Sequence, residues 1–138
     1  GINIELKPNI GLEIENVDEI LKITKNYSKS VPLYFSSFDL QSCIDLKKKS
    51  PDALCGILIS EFKNNSLKKI LQLIDKYKFF SCGLNIELVN EKLIKKLKNK
   101  NLLITVFSEK NISKKQAIYL WNIGIDSIFI DDPRKILN

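Results

Sequence analysis

Six short apolar segments alternate with five amphipathic ones along the chain, and this alternation restricts the fold more than any other feature of the sequence. The apolar segments begin 29, 23, 25, 22 and 24 residues apart, at 2–6, 31–36, 54–60, 79–86, 101–107 and 125–130. Several are apolar on both faces, as expected for parallel strands that are covered by helices. Strands and helices that alternate at this period predict a parallel sheet with right-handed crossovers.

The segments between the strands have the helical period. One core-facing stripe at helical spacing consists of Leu67, Ile70, Leu71, Ile74 and Tyr77. The pattern Ser-Lys-Lys-Gln at 113–116 is a capping box that opens the last full helix. We predict that the apolar face of this helix is formed by Ala117, Ile118 and Trp121, and that Gly124 is its C-cap. The candidate N-caps of other helices are Asp39, Asn65 and Asn90.

The chain therefore reads as one α/β domain, residues 1–138, with the order β(αβ)₅ and no linker. Two architectures fit this order. One is an open doubly wound parallel sheet, and the other is a portion of a (β/α)₈ TIM barrel with about six β/α units. A whole barrel usually needs about 250 residues, so six strands in 138 residues predict a part of a barrel, six of its eight units. The period alone does not choose between the two architectures.

Composition removes several kinds of site. The 138 residues contain no histidine, which is the commonest general base and a common metal ligand. The three cysteines, Cys43, Cys55 and Cys82, are odd in number and far apart, and they predict free buried thiols in a reducing compartment. No apolar run reaches the ~18 residues that a membrane-spanning helix needs.

The net charge of +6 raises the question of nucleic-acid binding. The basic residues are lysines except for Arg134, and the lysine pairs fall in predicted helices beside apolar positions. Proteins that read base edges rely on arginine, and single-strand binders interleave aromatic with basic residues. Neither pattern occurs, so we interpret the lysines as solvated helix faces and expect no nucleic-acid partner.

The first strand carries the candidate chemistry. Its period of two places Asn3, Glu5 and Lys7 on one face, opposite an apolar face. In a barrel the polar face would point inward, and barrel enzymes place catalysis at the carboxyl ends of their strands. A carboxylate suits a divalent cation and a lysine suits a phosphate; the rise of ~3.3 Å per residue puts these two about 7 Å apart. The alternative is an edge strand with a solvated polar face.

The segment GINIELKPN at 1–9 resembles the NIEIKP strand of the glycerophosphodiester phosphodiesterases, especially the cytoplasmic bacterial type. Four further segments resemble the same family in the same order. They are 34–38 ("lSSF"), 51–58 ("P…GLL"), 101–108 ("V.VWTVN") and 124–133 ("GVDGIITDyP"). The resemblance extends over nearly the whole chain, which corresponds to roughly strands three to eight of the family barrel.

The resemblance implies a (β/α)₈ barrel and a cytoplasmic enzyme that cleaves glycerophosphodiesters to sn-glycerol 3-phosphate and an alcohol, with Mg²⁺ or Ca²⁺. It implies that Glu5 is a metal ligand and that Lys7 contacts the phosphate. Phe107 would form an apolar wall for glycerol. From their position alone, Ser36 and Ser37 end the second strand and face the expected site. We interpret them either as hydrogen-bond donors, with Ser36 binding the substrate, or as caps of the strand end.

The same resemblance implies that the catalytic groups lie elsewhere. The family's acid–base histidines ("HRG" and "HD") and two further acidic ligands ("ExD") belong to its first strands, which have no counterpart in these 138 residues. We therefore expect that activity needs the missing first strands of the barrel, in the same polypeptide or in a second chain. The 138 residues alone are expected to be inactive. A barrel without two strands also has two open edges, so we expect self-association.

Residues 107–110 depart from the family pattern, because Ser108 and Glu109 follow Phe107 where the family has "TVN". This departure favours an alternative interpretation, in which the chain is an inactive barrel remnant that serves as a binding or structural module.

Overall fold

The computed structural model describes residues 1–27, 30–62 and 66–137. Its single sheet has six parallel strands: β1 (Ile2–Glu5), β2 (Leu33–Ser37), β3 (Leu54–Ile59), β4 (Ser81–Asn85), β5 (Leu103–Phe107) and β6 (Ser127–Ile128). The helices are α1 (Glu13–Thr24), α2 (Leu40–Lys49), α3 (Leu67–Tyr77), α4 (Glu91–Lys98), α5 (Lys114–Asn122) and α6 (Arg134–Leu137). No helix in the described ranges is long and apolar enough to cross a bilayer.

The strand order decides between the two predicted architectures. The strands are neighbours in chain order, β1 to β6, and every pair is parallel. A doubly wound sheet reverses its strand order at a switch point. With no reversal, every right-handed crossover places its helix on the same side of the sheet. The fold is therefore a portion of a (β/α)₈ barrel, and the open doubly wound sheet is wrong.

Contacts across the sheet show that it is curled. The rings of Phe38, after β2, and Phe107, at the end of β5, have centroids 5.1 Å apart. These strands are three positions apart, which is about 14 Å in a flat sheet with the usual strand spacing. At the opposite end, Tyr34 on β2 packs its ring 5.9 Å from that of Phe80, just before β4. Side chains on the face away from the helices therefore converge, as they do inside a barrel.

The two faces of the sheet differ in composition. The face under the helices is the apolar core, where buried strand residues include Phe35, Cys55, Ile57, Cys82, Leu84, Ile104 and Val106. The register places polar, small and aromatic residues together on the other face, which we call the lumen face; they include Asn3, Glu5, Tyr34, Ser36, Gly56, Ser81, Gly83, Thr105 and Phe107. The three cysteines are free and buried, as the sequence predicts.

Capping groups set most of the predicted helix starts. Asp39 accepts a hydrogen bond from the Ser42 amide at 2.6 Å, and Asn90 caps α4 in the same way. The capping box of α5 is present between Ser113 and Gln116. Asn65, a predicted cap, lies outside the described residues, and the side chain of Ser66 caps α3.

Two details of the prediction are wrong. The core face of α5 consists of Ala117 and Leu120, whereas Ile118 and Trp121 are exposed. The predicted strand 125–130 shrinks to two residues, because the amide of Ile125 bonds to Leu120 and closes α5. Gly124 ends the helix with a φ of 97°, which fits its predicted role.

Tight packing at the amino end of the lumen face gives a stability prediction. A Cβ atom on Gly56 would overlap the hydroxyls of Tyr34 and Ser81, which hydrogen-bond to each other across the face. We expect Gly56→Ala to lower the free energy of unfolding by about 1–3 kcal/mol, as overpacked cores do. Urea denaturation measures this. Ser127→Ala, at an exposed position of the same face, is the control and should change stability by less than about 0.5 kcal/mol; equal effects would contradict the packing argument.

A second prediction concerns pH. Burial raises the pKa of the Cys82 thiol from 9.0 to about 12. The thiol is neutral when protonated, so the folded chain holds this proton more tightly than the unfolded chain does. Its contribution to stability is therefore complete below pH 9 and is lost as the pH rises from 9 towards 12.

Denaturation of the wild type and of Cys82→Ala across this range tests the effect. The gap in unfolding free energy between the two should narrow by about 1.4 kcal/mol per pH unit above pH 9. Parallel pH profiles would show that Cys82 is not the titrating group.

Candidate functional site

The carboxyl ends of the strands surround a cavity of about 220 Å³ on the lumen face. It is lined by Asn3, Glu5, Ser36, Phe38, Leu58, Phe107 and Phe129. Three of the four residues that the sequence predicts for the site, Glu5, Ser36 and Phe107, thus line one cavity. The fourth, Lys7, lies on its rim. The cavity is at the end of the sheet where barrel enzymes place their chemistry.

Glu5 ends β1 and turns its carboxylate into this cavity. Its side chain is 31% exposed, and its Oε1 atom is buried without a hydrogen bond. Burial removes the hydration of this oxygen, so it needs a positive partner. The exposed ammonium of Lys7, 3.5 Å away, is one such partner, and a cation in the cavity would be another.

Lys7 supplies the positive charge nearest to this carboxylate in the described structure. Its Nζ atom is 3.5 Å from Glu5 Oε1, and its side chain is 75% exposed. The sequence-based separation of about 7 Å is too long, because it follows the strand rise and ignores the freedom of both side chains to bend towards each other. An ion pair this exposed contributes little to stability, ~0–1 kcal/mol, so the ammonium can move to an anion at little cost.

Ser36 lies in the floor of the cavity and is fully buried. Its hydroxyl donates a hydrogen bond to Asn3 Oδ1 at 3.1 Å, which holds the amide of Asn3 beside Glu5. The neighbouring Ser37, which the sequence also placed at the site, points to the helix side. Its hydroxyl donates to the Leu6 carbonyl at 2.7 Å and accepts from the Asp39 amide. Ser37 is therefore part of the β2–α2 connection.

An aromatic wall closes one side of the cavity. Phe107 packs edge-to-face with Phe38, and Phe129 completes the wall from beyond β6. Phe38 and Phe129 remain 48% and 39% exposed. Sequence reasoning identified Phe107 but missed these two. The alternation of side chains along a strand could have identified both. Phe38 is two residues after Ser36 and therefore on the lumen face. Phe129 is two residues after Ser127, which pairs with Thr105 of the same face.

Other carboxylates near the strand ends have structural partners. Asp132 accepts hydrogen bonds from the guanidinium of Arg134 at 2.8 and 3.1 Å, which lowers the pKa of Asp132. This pair shapes the final turn. Asp126 accepts from the Ile104 amide and from Lys98, so it joins β5 to α4 at the other end of the sheet.

The fit to a divalent cation is partial. Mg²⁺ and Ca²⁺ require six or more oxygen ligands. Within residues 1–27, 30–62 and 66–137, no group of three or more Cys, Asp or Glu side chains could hold a metal ion. Glu5 offers a suitable carboxylate with one unbonded oxygen, and the remaining ligands must come from elsewhere. The described residues of the site can thus contribute a ligand, an ammonium group and an apolar wall.

The fold is similar to those of solved phosphodiesterases. The phosphodiesterase of Oleispira antarctica, solved in complex with the product sn-glycerol-3-phosphate, has a TM-score of 0.82 and 24% identity, over 99% of this chain and 53% of that chain. The glycerophosphodiester phosphodiesterase of Thermotoga maritima has a TM-score of 0.70 and 26% identity, over 93% of this chain and 52% of that chain. The chain thus spans about half the length of these structures.

A search of the curated proteins gave no significant match. The family profile that does match extends over residues 1–135 and is that of the glycerophosphoryl diester phosphodiesterase family. This match covers almost the whole chain and agrees with the barrel fold, so the chain belongs to the glycerophosphoryl diester phosphodiesterase family.

Proposed function

We propose that this chain forms strands three to eight of the barrel of a metal-dependent glycerophosphodiester phosphodiesterase, which hydrolyses glycerophosphodiesters to sn-glycerol 3-phosphate and an alcohol. The observation that carries the proposal is the buried oxygen of Glu5, which has no hydrogen bond and lies in a cavity at the carboxyl end of the sheet. The relative solved with sn-glycerol-3-phosphate supports a small phosphorylated substrate.

In this proposal each residue of the site has a separate role. Glu5 is one ligand of Mg²⁺ or Ca²⁺, and Lys7 neutralises a phosphate oxygen, which stabilises charge that develops during the reaction. The wall around Phe107 packs against the carbon side of glycerol. The hydroxyl of Ser36 donates a hydrogen bond to Asn3, so its oxygen can still accept a hydrogen bond from a substrate hydroxyl. When bound, the cation would supply Lewis-acid polarisation of the phosphoryl oxygen.

The acid and the base come from outside these 138 residues. No histidine occurs in the chain, and among the residues that the structure describes, Glu5 is the one titratable side chain in the cavity lining. We therefore propose a partner that completes the barrel, either the missing barrel segment in the same polypeptide or a second chain. The solved relatives are about twice as long as this chain, which supports the existence of such a partner.

The distribution of exposed apolar side chains supports the same partner. Within the described ranges, α2, α3 and α4 expose no large apolar side chain. Those that are exposed belong largely to the outermost elements and the lumen face. The flank of β1 and α1 exposes Ile2, Ile10, Leu12, Ile14, Ile23 and Tyr27, α5 exposes Ile118, Tyr119 and Trp121, and the lumen face exposes Phe38, Leu54, Leu103 and Phe129. Strands and helices that close the barrel would cover these surfaces.

A second candidate function is a binding or structural module without catalysis. It is favoured by the segment after β5, where Ser108 and the exposed Glu109 replace the polar residues typical of the family. The coding sequence before Gly1 discriminates between the two. An HRG and an ExD pattern within about 110 residues, the difference between a ~250-residue barrel and this chain, supports the enzyme, and a stop codon supports the module.

The proposal predicts that the 138-residue chain alone is inactive. Calorimetric titration with Mg²⁺ or Ca²⁺ should give a Kd no tighter than about 1 mM, because one carboxylate supplies too few ligands, and Glu5→Gln should abolish even this binding. A coupled assay should detect no release of sn-glycerol 3-phosphate from glycerophosphocholine. Turnover by the purified chain, lost in Glu5→Gln, would show that the acid–base pair lies within these residues.

A further prediction concerns Lys7 in a completed barrel. The chain can be fused after the first strands of the Thermotoga maritima enzyme, and folding of the fusion checked by circular dichroism. In an active fusion, Lys7→Met should lower kcat/KM about 100-fold, the loss typical of one electrostatic contact to a transition state. Lys76→Met, on the outer surface of α3, is the matched control and should leave kcat/KM unchanged. Equal kinetics of the two variants would remove Lys7 from the phosphate site.

A further inference from the structure

One lateral side of α1 exposes large apolar side chains at its carboxyl end. The opposite side of this helix faces α2, to which Asp18 forms an ion pair with Lys49. Asn16, Ile20, Ile23 and Tyr27 recur at i, i+4, i+7 and i+11 and so share one side of the helix axis. Ile23 and Tyr27 are 60% and 61% exposed, and the buried Oδ1 of Asn16 has no hydrogen bond. This surface, Asn16–Ile20–Ile23–Tyr27, is the α1 flank.

A second uncovered surface lies at the other edge of the sheet. Ile118 and Trp121 of α5 lie three residues apart on one side of the helix and are 47% and 43% exposed, although they are among its largest apolar side chains. We call them the α5 flank. The adjoining strand β6 pairs with β5 on one side, and β1 pairs with β2 on one side. Each edge therefore combines unpaired backbone groups with an exposed apolar helix face.

The helices that carry the two flanks have opposite net charge. α1 has four carboxylates and one lysine, and α5 has two lysines and no carboxylate. Two α1 flanks would repel each other, as would two α5 flanks. An α1 flank and an α5 flank attract, and their apolar residues can be buried together. The charge pattern therefore favours contact between different flanks.

We propose that the 138-residue chain binds a second copy of itself head to tail, with the β6–α5 flank of one copy against the β1–α1 flank of the next. The interface is heterologous, so the first and the last copy of an assembly each keep one free flank. Further copies can add to these flanks. This association requires no catalysis and goes beyond the proposed function. It uses the edges that a barrel-closing segment would cover, so the two occupants exclude each other.

Sedimentation velocity of the purified chain over a wide range of concentrations tests the proposal. The weight-average mass of the wild type should exceed 15.9 kDa and rise with concentration. Ile23→Asp and Trp121→Asp each place a short, unpaired carboxylate within the interface, which is costly to bury. Each variant alone should be monomeric. An equal mixture should form a dimer and nothing larger, because one variant keeps an intact α5 flank and the other an intact α1 flank.

Gln72→Asp, which adds the same charge to an exposed position of the inner helix α3, is the control and should associate like the wild type. Circular dichroism establishes that every variant is folded. A wild type that stays monomeric at all concentrations would overturn the proposal. Association that is abolished by Ile23→Asp but not by Trp121→Asp would also overturn it, since that result belongs to a symmetric contact between α1 flanks. Neither result depends on whether the completed barrel is an enzyme.

Discussion

Every strand of this sheet has one face against the helices and one face towards the lumen, and the rest of the structure depends on that constraint. Because side chains alternate along a strand, one set enters the core beneath the helices and the other set enters the lumen. The core set is apolar and buried, with Leu6 and Cys82 among its members. The lumen set is free to be polar, since the helices do not cover it. The carboxylate of Glu5 can therefore lie at a strand end without disrupting the core.

Chain order then converts this two-faced sheet into a site. Sequential right-handed crossovers place all the helices on one side, so the opposite faces of all six strands curl towards one another. Curling brings Phe38 and Phe107 into contact across two intervening strands. The same curl leaves a gap between β6 and β1, where exposed apolar side chains collect. The site and the uncovered edges thus have a common origin, which is why a proposed function and a proposed assembly both arise from one fold.

Local pattern predicted the elements well and their ends less well. The alternation of six strands with helices follows from short-range periodicity, and the caps at Asp39 and Asn90 follow from side-chain chemistry. The choice between a barrel and a doubly wound sheet needed the strand order, which no local period contains. The outward position of Trp121 was also hidden, because an exposed indole departs from the usual burial of large apolar groups.

The site was predictable in part for similar reasons. Glu5 and Phe107 each belong to a strand whose alternating pattern shows which side chains share a face, and both line the cavity. Phe129 requires the register between β5 and β6 as well. The hydrogen bond from Ser36 to Asn3 depends on side-chain rotamers on two neighbouring strands, which cannot be predicted from the sequence pattern.

The central claim is that the cavity at Glu5 holds the divalent cation. NMR line broadening by added Mn²⁺, a paramagnetic substitute for Mg²⁺, tests it directly on the 138-residue chain, even at weak affinity. The account predicts that the amide signals of Glu5 and Ser36 broaden first and that Glu5→Gln removes this effect. Broadening that centres on other carboxylates, such as Asp75 or Glu91, and that persists unchanged in Glu5→Gln would contradict the account.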